Sequence, residues 1–322
     1  MKNACKSSGI GGQAVLEGIM MKNKEVYSIG VRRPDGEIEV HLSTHEGMGN
    51  KKLRSIPIVR GVINFVDSLV LGMKCLTFSA SFYDEEEAQP SKADQVVQKL
   101  FKENAEKVVM GLTVAFSIVM AVAIFMLLPY FLSNFLRQYI VSETLLAVIE
   151  GAIRLTLFIV YVLLISLMKD IQRVFQYHGA EHKCINCIEN GLELNVENVR
   201  ASSKEHKRCG TSFMLIVMVI SIIFFIFIRV ESPILRVVYR LALVPVIAGV
   251  SYEFIKLAGN SDNIIIRILS RPGMWLQALT TKQPDDDMIE VAIAAVEAVF
   301  DWKAYQGREA EEVPDIADIL EA

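Results

Sequence analysis

Apolar residues along this chain fall into long runs. Val108–Leu128 and Phe213–Ile228 contain no charged residue, Leu145–Met168 contains only Glu150 and Arg154, and Ile234–Leu257 carries its charges near its ends. At 1.5 Å per residue, a helix of about 20 residues spans a hydrocarbon core of about 30 Å. All four runs qualify, Phe213–Ile228 with the help of Thr211 and Ser212, and the pattern predicts four transmembrane helices. Ahead of them, Val26–Val31 and Glu37–Leu42 alternate around Arg33-Pro34-Asp35-Gly36, a hairpin signal, and Gly9, Gly11, Gly12 and Gly18 punctuate the same region. From Pro57 to residue 83 the pattern turns helical, with Arg60, Asn64, Asp67 and Lys74 on one side. That helix is expected to lie on the membrane or bundle, with a buried helix of a soluble domain as the alternative.

Asp84–Gln98 reads as a polar linker and Ala258–Lys282 as an irregular stretch. A last helix over about 285–302 follows Pro284-Asp285-Asp286-Asp287, where proline and carboxylates suit a helix start. Ile289, Ile293, Val296 and Phe300 form its docking stripe, and the tail from Gly307 is acidic. The expected organisation is therefore a β unit (1–56), a helix with linker (57–107), two membrane helices (108–168), a central loop (169–211), two more membrane helices (212–257) and a C-terminal segment (258–322). The fold class is a mainly α-helical polytopic membrane protein with a small N-terminal β-containing cytoplasmic unit.

Composition agrees: 52% of the 322 residues are apolar, yet 22% are charged. Met1–Ile10 is polar, so the first membrane helix is expected to act as the insertion signal. The 169–211 loop holds Lys169, Arg173, Lys183, Arg200, Lys204, Lys207 and Arg208, whereas 129–144 and 229–233 hold only Arg137 and Arg229. The positive-inside bias places that loop and both termini in the cytoplasm. Cys5, Cys75, Cys184, Cys187 and Cys209 then sit in a reducing compartment, which favours metal ligation over disulfides. No strongly basic domain stands out, and nucleic acid is not an expected partner.

The chemistry concentrates in the central loop. In Tyr177-His178-Gly179-Ala180-Glu181-His182, a helix puts His178 and His182 one turn apart on one face with Glu181 beside them. This H-x-x-E-H arrangement can hold a divalent metal, zinc foremost, on two imidazoles and let a carboxylate work on water. Two groupings are open. Cys184 and Cys187 with His206 and Cys209 would make a closed, ribbon-like structural site. His178 and His182 completed by His206 or Cys209 would leave a position for water, with Glu181 as general base. The bland reading is that these side chains simply pack and hydrogen-bond in a cytoplasmic cap.

Glu253, at the end of the fourth apolar run, could supply a ligand, orient a ligating histidine, or pair with Lys256 or an arginine. Glu150 and Arg154 read as a structural ion pair with Arg236 and Arg240 in reach. Gly11–Gly18 lacks a phosphate-loop ending, which favours tight turns or a strand laid across the central loop.

Several of these stretches together resemble a bacterial family of unknown function, the YqhQ-like membrane proteins, labelled in places as predicted metal-dependent enzymes. The stretches are Gly11-Gly12-Gln13-Ala14-Val15-Leu16-Glu17-Gly18-Ile19-Met20-Met21, Arg33-Pro34-Asp35-Gly36, Pro57 with Arg60-Gly61, and Tyr177 to Lys183. They continue through His206, Arg208-Cys209-Gly210-Thr211-Ser212-Phe213, Ser251-Tyr252-Glu253 and Leu279 to Asp286. The resemblance carries His178, Glu181, His182, His206, Cys209 and Glu253 as the family's residues, with cysteine not a regular feature at positions 184 and 187. It favours the second grouping.

Two functions of different class follow. One is a metal-dependent, hydrolase-type enzyme at the cytoplasmic face of the bacterial inner membrane, with Glu181 moving the proton. The other is a non-catalytic scaffold or membrane-protein biogenesis factor with a structural His/Cys cluster. Expected partners are the lipid bilayer and a membrane protein or a second copy of the chain.

Overall fold

The computed structural model describes residues 7–83, 105–206, 209–228, 230, 232–260 and 263–307. Cys5, the 84–98 linker, Lys207, Arg208, Arg229 and the tail beyond Gly307 lie outside the described residues. The chain divides into two units, one made of Met1–Tyr83, Val162–Val217 and Pro245–Ala322, the other of Asp84–Tyr161 and Met218–Val244.

In the first unit, strands β1 (Gly11–Val15), β2 (Gly18–Asn23), β3 (Val26–Arg32) and β4 (Ile38–Thr44) pair antiparallel in chain order. The expected hairpin joins β3 to β4, with Arg32 opposite Ile38 and Gly36 at φ +90° in the turn. The glycine-rich start makes a second hairpin, Val15 opposite Gly18. Gly18 is required there by close approach: a Cβ on it would stand 2.2 Å from the Gly30 carbonyl oxygen.

Both faces of the sheet are covered, so its strands alternate between two cores rather than between core and water. Val15, Met20, Tyr27, Ile29 and Val31 pack with Leu71 and Cys75 of α2 (Val59–Ala80), which follows a short α1 (Lys51–Ser55). On the other face, Ile19 and Met21 meet α6 (Lys169–Glu189) and α11 (Asp286–Glu297) through Tyr177, Ala180, Cys184, Ile289, Ala292 and Ala295. Helix α11 docks as its stripe predicts, with Ile289 and Val296 fully buried. Ser28 Oγ donates to the Ala295 carbonyl at 2.6 Å, close to the point where Gly30 faces Val291 and Ala295. Two short helices, α7 (Val196–Ala201) and α12 (Trp302–Tyr305), flank this core.

The remaining helices are apolar. They are α3 (Ala105–Val122), running through a π-helical turn (Ala123–Leu127) into α4 (Leu128–Phe135), then α5 (Glu143–Ile165), α8 (Gly210–Ile226), α9 (Pro233–Asn260) and α10 (Ile264–Thr280). Pro129, which lacks an N–H, follows the π turn, a usual site for such a local unwinding. Among the described residues four helices are long and apolar enough to cross a membrane: Val59–Ala80, Val108–Gln138, Glu143–Ile165 and Ile234–Ala258.

Two expectations change. Gly210–Ile226 has 17 residues, about 26 Å of helix, and is not among the four. Val59–Ala80 is among them, and its polar residues point into its own unit: Arg60 pairs with Glu253, Asn64 donates to Tyr252 Oη at 2.8 Å, and Asp67 accepts from His45 Nε2 at 2.8 Å and Met48 N at 2.7 Å. Phe65, Val66, Leu69, Val70, Met73 and Leu76 are exposed instead. The second change is that 264–280 is helical rather than irregular. Pro272 and Gly273 read as breakers, but Pro272 is tolerated inside the helix and Gly273 permits close approach to Ser212, whose Cβ stands 2.9 Å from where a glycine substituent would sit.

In the second unit, Glu150, Arg154 and Arg240 form the expected ion-pair cluster, all three buried.

Gly18→Ala should cost about 1–3 kcal/mol through overpacking against Gly30, whereas Gly11→Ala, which meets nothing within 4 Å, should be close to neutral. Thermal unfolding of the two purified variants checks the contrast.

Candidate metal centre

The helix α6 that carries the histidines begins after a turn over 166–168, with Met168 extended at its N-cap (φ −73°, ψ 132°). It is thus a separate helix, not a continuation of α5. One side of it packs on β1, where Gly12 N donates to Glu181 Oε1 at 3.0 Å. At its first turns, Arg173 makes a two-pronged pair with Glu17 in the β1–β2 turn, which holds the guanidinium pKa above its usual value. Further along, Lys183 donates to the carbonyls of Arg200 at 2.8 Å and Ser202 at 2.6 Å. Burial and then the nearby Lys204 lower its pKa.

A short strap crosses the helix at Gly179. A Cβ there would lie 2.0 Å from the Lys282 carbonyl oxygen, so only glycine lets the two backbones approach. The strap is tied by Lys282 N to the Phe175 carbonyl at 2.9 Å and by Lys204 Nζ to the Thr281 carbonyl at 3.0 Å. It thereby delivers the Thr280 carbonyl to His178 Nδ1 at 2.9 Å. The Lys204 carbonyl does the same for His182 Nδ1 at 2.6 Å.

Each of these bonds requires a proton on Nδ1 and leaves the Nε2 lone pair as the ligating atom, the arrangement that orients histidines at metal sites. His178 Nε2 lies 3.2 Å from Cys209 Sγ, and the two imidazole centroids are 4.5 Å apart. One ligand atom each from His178, His182 and Cys209 falls within 4.8 Å of the others. Bonds of about 2.0–2.1 Å to nitrogen and 2.3 Å to sulfur would need the widest edge of that triangle to close by more than about 1 Å, while the His178–Cys209 edge is already close to a bound separation. His182 is 1% exposed and Cys209 3%. Cys209 Sγ also meets Thr211 Oγ1 at 3.0 Å and accepts from Thr211 N at 3.4 Å at the start of α8.

The other candidates lie apart from that triangle. The His206 ring is 5.7 Å from that of His182, and its Nε2 is 3.7 Å from Glu189. Glu181 gives one oxygen to Gly12; its other oxygen has no hydrogen-bond partner among the described residues. Glu253 is taken by Arg60, whose Nε donates to Oε1 at 2.6 Å while Nη2 holds Oε2, so the arginine alternative accounts for it. Cys184 sits fully buried in the core between α6 and α11, its thiol pKa pushed well up by burial and then by Cys187 and Glu181. Cys187 donates to the Glu193 carbonyl at 3.3 Å. The grouping that pairs these two thiols with Cys209 is not brought together.

Sequence reasoning assigned no role to the carbonyls of Thr280 and Lys204, nor to Gln277. Gln277, fully buried, accepts from His206 N at 2.9 Å and donates to His206 O at 2.7 Å and Ser212 Oγ at 2.9 Å, which pins the segment before Cys209. Backbone acceptors carry no sequence signature; the only trace was the Leu279–Asp286 stretch, present without a function.

The fold and site together define a mostly helical protein with four membrane-length apolar helices among its described residues, an N-terminal antiparallel sheet and a His/His/Cys cluster in which His182 and Cys209 are buried and His178 is half-buried. Residues 56–302 match a family described as protein of unknown function (DUF1385), and the chain belongs to that family. It is 37% identical over 289 residues to the "Uncharacterized protein YqhQ" of Bacillus subtilis (strain 168), covering 88% of this chain and 89% of that protein. No solved structure matches the chain.

Gly179→Ala should force the strap away from α6 and cost about 1–3 kcal/mol or more, read as a fall in thermal midpoint. Cys184, buried and held as the thiol, should resist iodoacetamide in the native protein and react on unfolding, since the thiolate is the reactive form. Mass-spectrometric peptide mapping reads this.

Proposed function

We propose that the protein is an integral protein of the bacterial inner membrane, with both termini and the 169–211 segment on the cytoplasmic side, and that it is a metal-dependent enzyme of hydrolase type. The membrane part is supported by the long apolar helices Val108–Gln138, Glu143–Ile165 and Ile234–Ala258, with the shorter apolar Gly210–Ile226 making the crossings between cytoplasmic ends even, and by α2, whose apolar face is exposed while Arg60, Asn64 and Asp67 find partners inward. That inversion suits a helix lying along the membrane surface with its apolar side toward lipid, rather than one that crosses it. The lysine and arginine bias of the 169–211 segment supports the orientation.

The observation that carries the chemical part is the convergence of His178, His182 and Cys209 with both Nδ1 atoms held by backbone carbonyls. A divalent ion there, zinc by its taste for nitrogen and sulfur, supplies Lewis acidity and lowers the pKa of water it binds to about 7. His178, His182 and Cys209 would hold the ion with three protein ligands, the number typical of catalytic rather than structural zinc sites. Thr280 and Lys204 hold the imidazoles in the ligating tautomer, Thr211 braces the sulfur, and Glu181, with one oxygen unpartnered among the described residues, moves the proton. His206 stands next to His182 as a reserve ligand.

A second reading rests on burial. His182 and Cys209 are almost fully enclosed, so the same three atoms could pin α6 to the start of α8 without turnover, in a scaffold or biogenesis factor that binds a membrane protein or a second copy.

Metal analysis of detergent-purified protein prepared without chelators separates these ideas. We expect about one zinc, iron or manganese per chain, lost in His178→Ala and Cys209→Ala and kept in Cys184→Ala. Absence of metal from the wild type would overturn the proposal. Glu181→Gln keeps the acceptor for Gly12 and should keep the metal, while failing to complement a null strain. Full complementation by that variant would favour the scaffold.

A further inference from the structure

In the second unit two arginines share one carboxylate. Glu150 Oε1 accepts from Arg154 Nη2 at 2.9 Å and from Arg240 Nη1 at 2.6 Å, and Oε2 accepts from Arg240 Nη2 at 2.8 Å. The three side chains are 4–7% exposed. Arg154 Nη1 reaches only a neutral acceptor, Ser221 Oγ at 3.1 Å, and the Nε atoms of Arg154 and Arg240 are buried with no hydrogen-bond partner. Aromatic faces compensate in part: Phe225 lies 4.8 Å from the Arg154 guanidinium and 5.0 Å from that of Arg240, and Tyr130 lies 5.3 Å from the latter. A buried cluster with one positive charge in excess is costly to desolvate and calls for another anion.

A cavity of about 30 Å³ adjoins this cluster, lined by Glu150 and Arg240 together with Tyr130, Ser133, Arg137 and Arg236. Arg137 pairs with Glu143. Arg236 directs Nε and Nη2 at the uncharged Val230 carbonyl, at 3.1 and 2.7 Å. Arg154 and Arg240 therefore share the one carboxylate of Glu150, and Arg236 stands at the same cavity with only a carbonyl partner among the described residues. The volume suits about two water-sized groups, hence the oxygens of one oxyanion rather than a bulky ligand.

We propose that this cavity binds a phosphate oxyanion, carried by an anionic lipid headgroup or free in solution, between Arg240 and Arg236. The bound oxygens supply the negative charge that Glu150 alone does not, and the site is independent of the histidine cluster.

The full chain, purified in detergent, is unfolded thermally with inorganic phosphate and with chloride at equal ionic strength. It is then unfolded in nanodiscs of phosphatidylcholine with and without phosphatidylglycerol. Saturating phosphate or phosphatidylglycerol should raise the midpoint by about 5 °C, and chloride should not. Arg240→Gln leaves the neutral Glu150–Arg154 pair and should fold but lose the rise; Arg236→Gln, at the cavity wall, should reduce it. A rise with phosphatidylglycerol alone identifies a lipid headgroup, and a rise with both identifies a site open to free phosphate. No rise with either, an equal rise with chloride, or a full rise in both variants overturns the proposal.

Discussion

At Gly179 the absence of a side chain lets the Lys282 carbonyl lie against α6, and the geometry of the histidine cluster depends on that contact. Without it the strap over 280–283 would stand off the helix, and the Thr280 carbonyl would not reach His178 Nδ1. A neutral imidazole can place its proton on either nitrogen, and the strap decides which. The same strap accepts from Lys204, whose own carbonyl fixes His182. One close backbone approach thus sets the tautomer of two side chains and leaves two lone pairs beside Cys209 Sγ.

The sheet plays a supporting part that its size does not suggest. With α2 on one face and α6 and α11 on the other, it cannot shift register without turning both sets of side chains into the wrong core. Through Gly12 and Glu17 it also holds α6 at Glu181 and Arg173. Glu181 therefore serves position as well as any proton it moves, which is why an isosteric amide is the informative change there.

Charge in the apolar parts of the chain is handled in two different ways. Along α2, Arg60, Asn64 and Asp67 have partners in their own unit, and the cost of an ionisable group among apolar residues is met by pairing, as with Arg60 and Glu253. Among the described residues of the second unit the pairing is incomplete, with two guanidiniums on one carboxylate. The first pattern explains architecture; the second marks a place where something outside the chain completes the structure.

Much of this was legible from residues alone. Long apolar runs, the Arg33-Pro34-Asp35-Gly36 hairpin, the stripe Ile289, Ile293, Val296 and Phe300, and the shared face of His178 and His182 are local or periodic properties, and period and turn chemistry report them directly. The polar side of α2 was visible too, but not which way it points, because periodicity defines a face without naming its neighbour. The choice between His206 and Cys209 as companion to His178 and His182, and the separation of Cys184 and Cys187 from Cys209, belonged to tertiary structure. Cys184 is two positions from His182, and Cys209 is twenty-seven, yet helical rotation turns Cys184 into the core while the loop back to α8 brings Cys209 to His178. The carbonyls that orient the imidazoles were invisible for the same reason: every residue has one, and only the fold decides which of them a side chain meets.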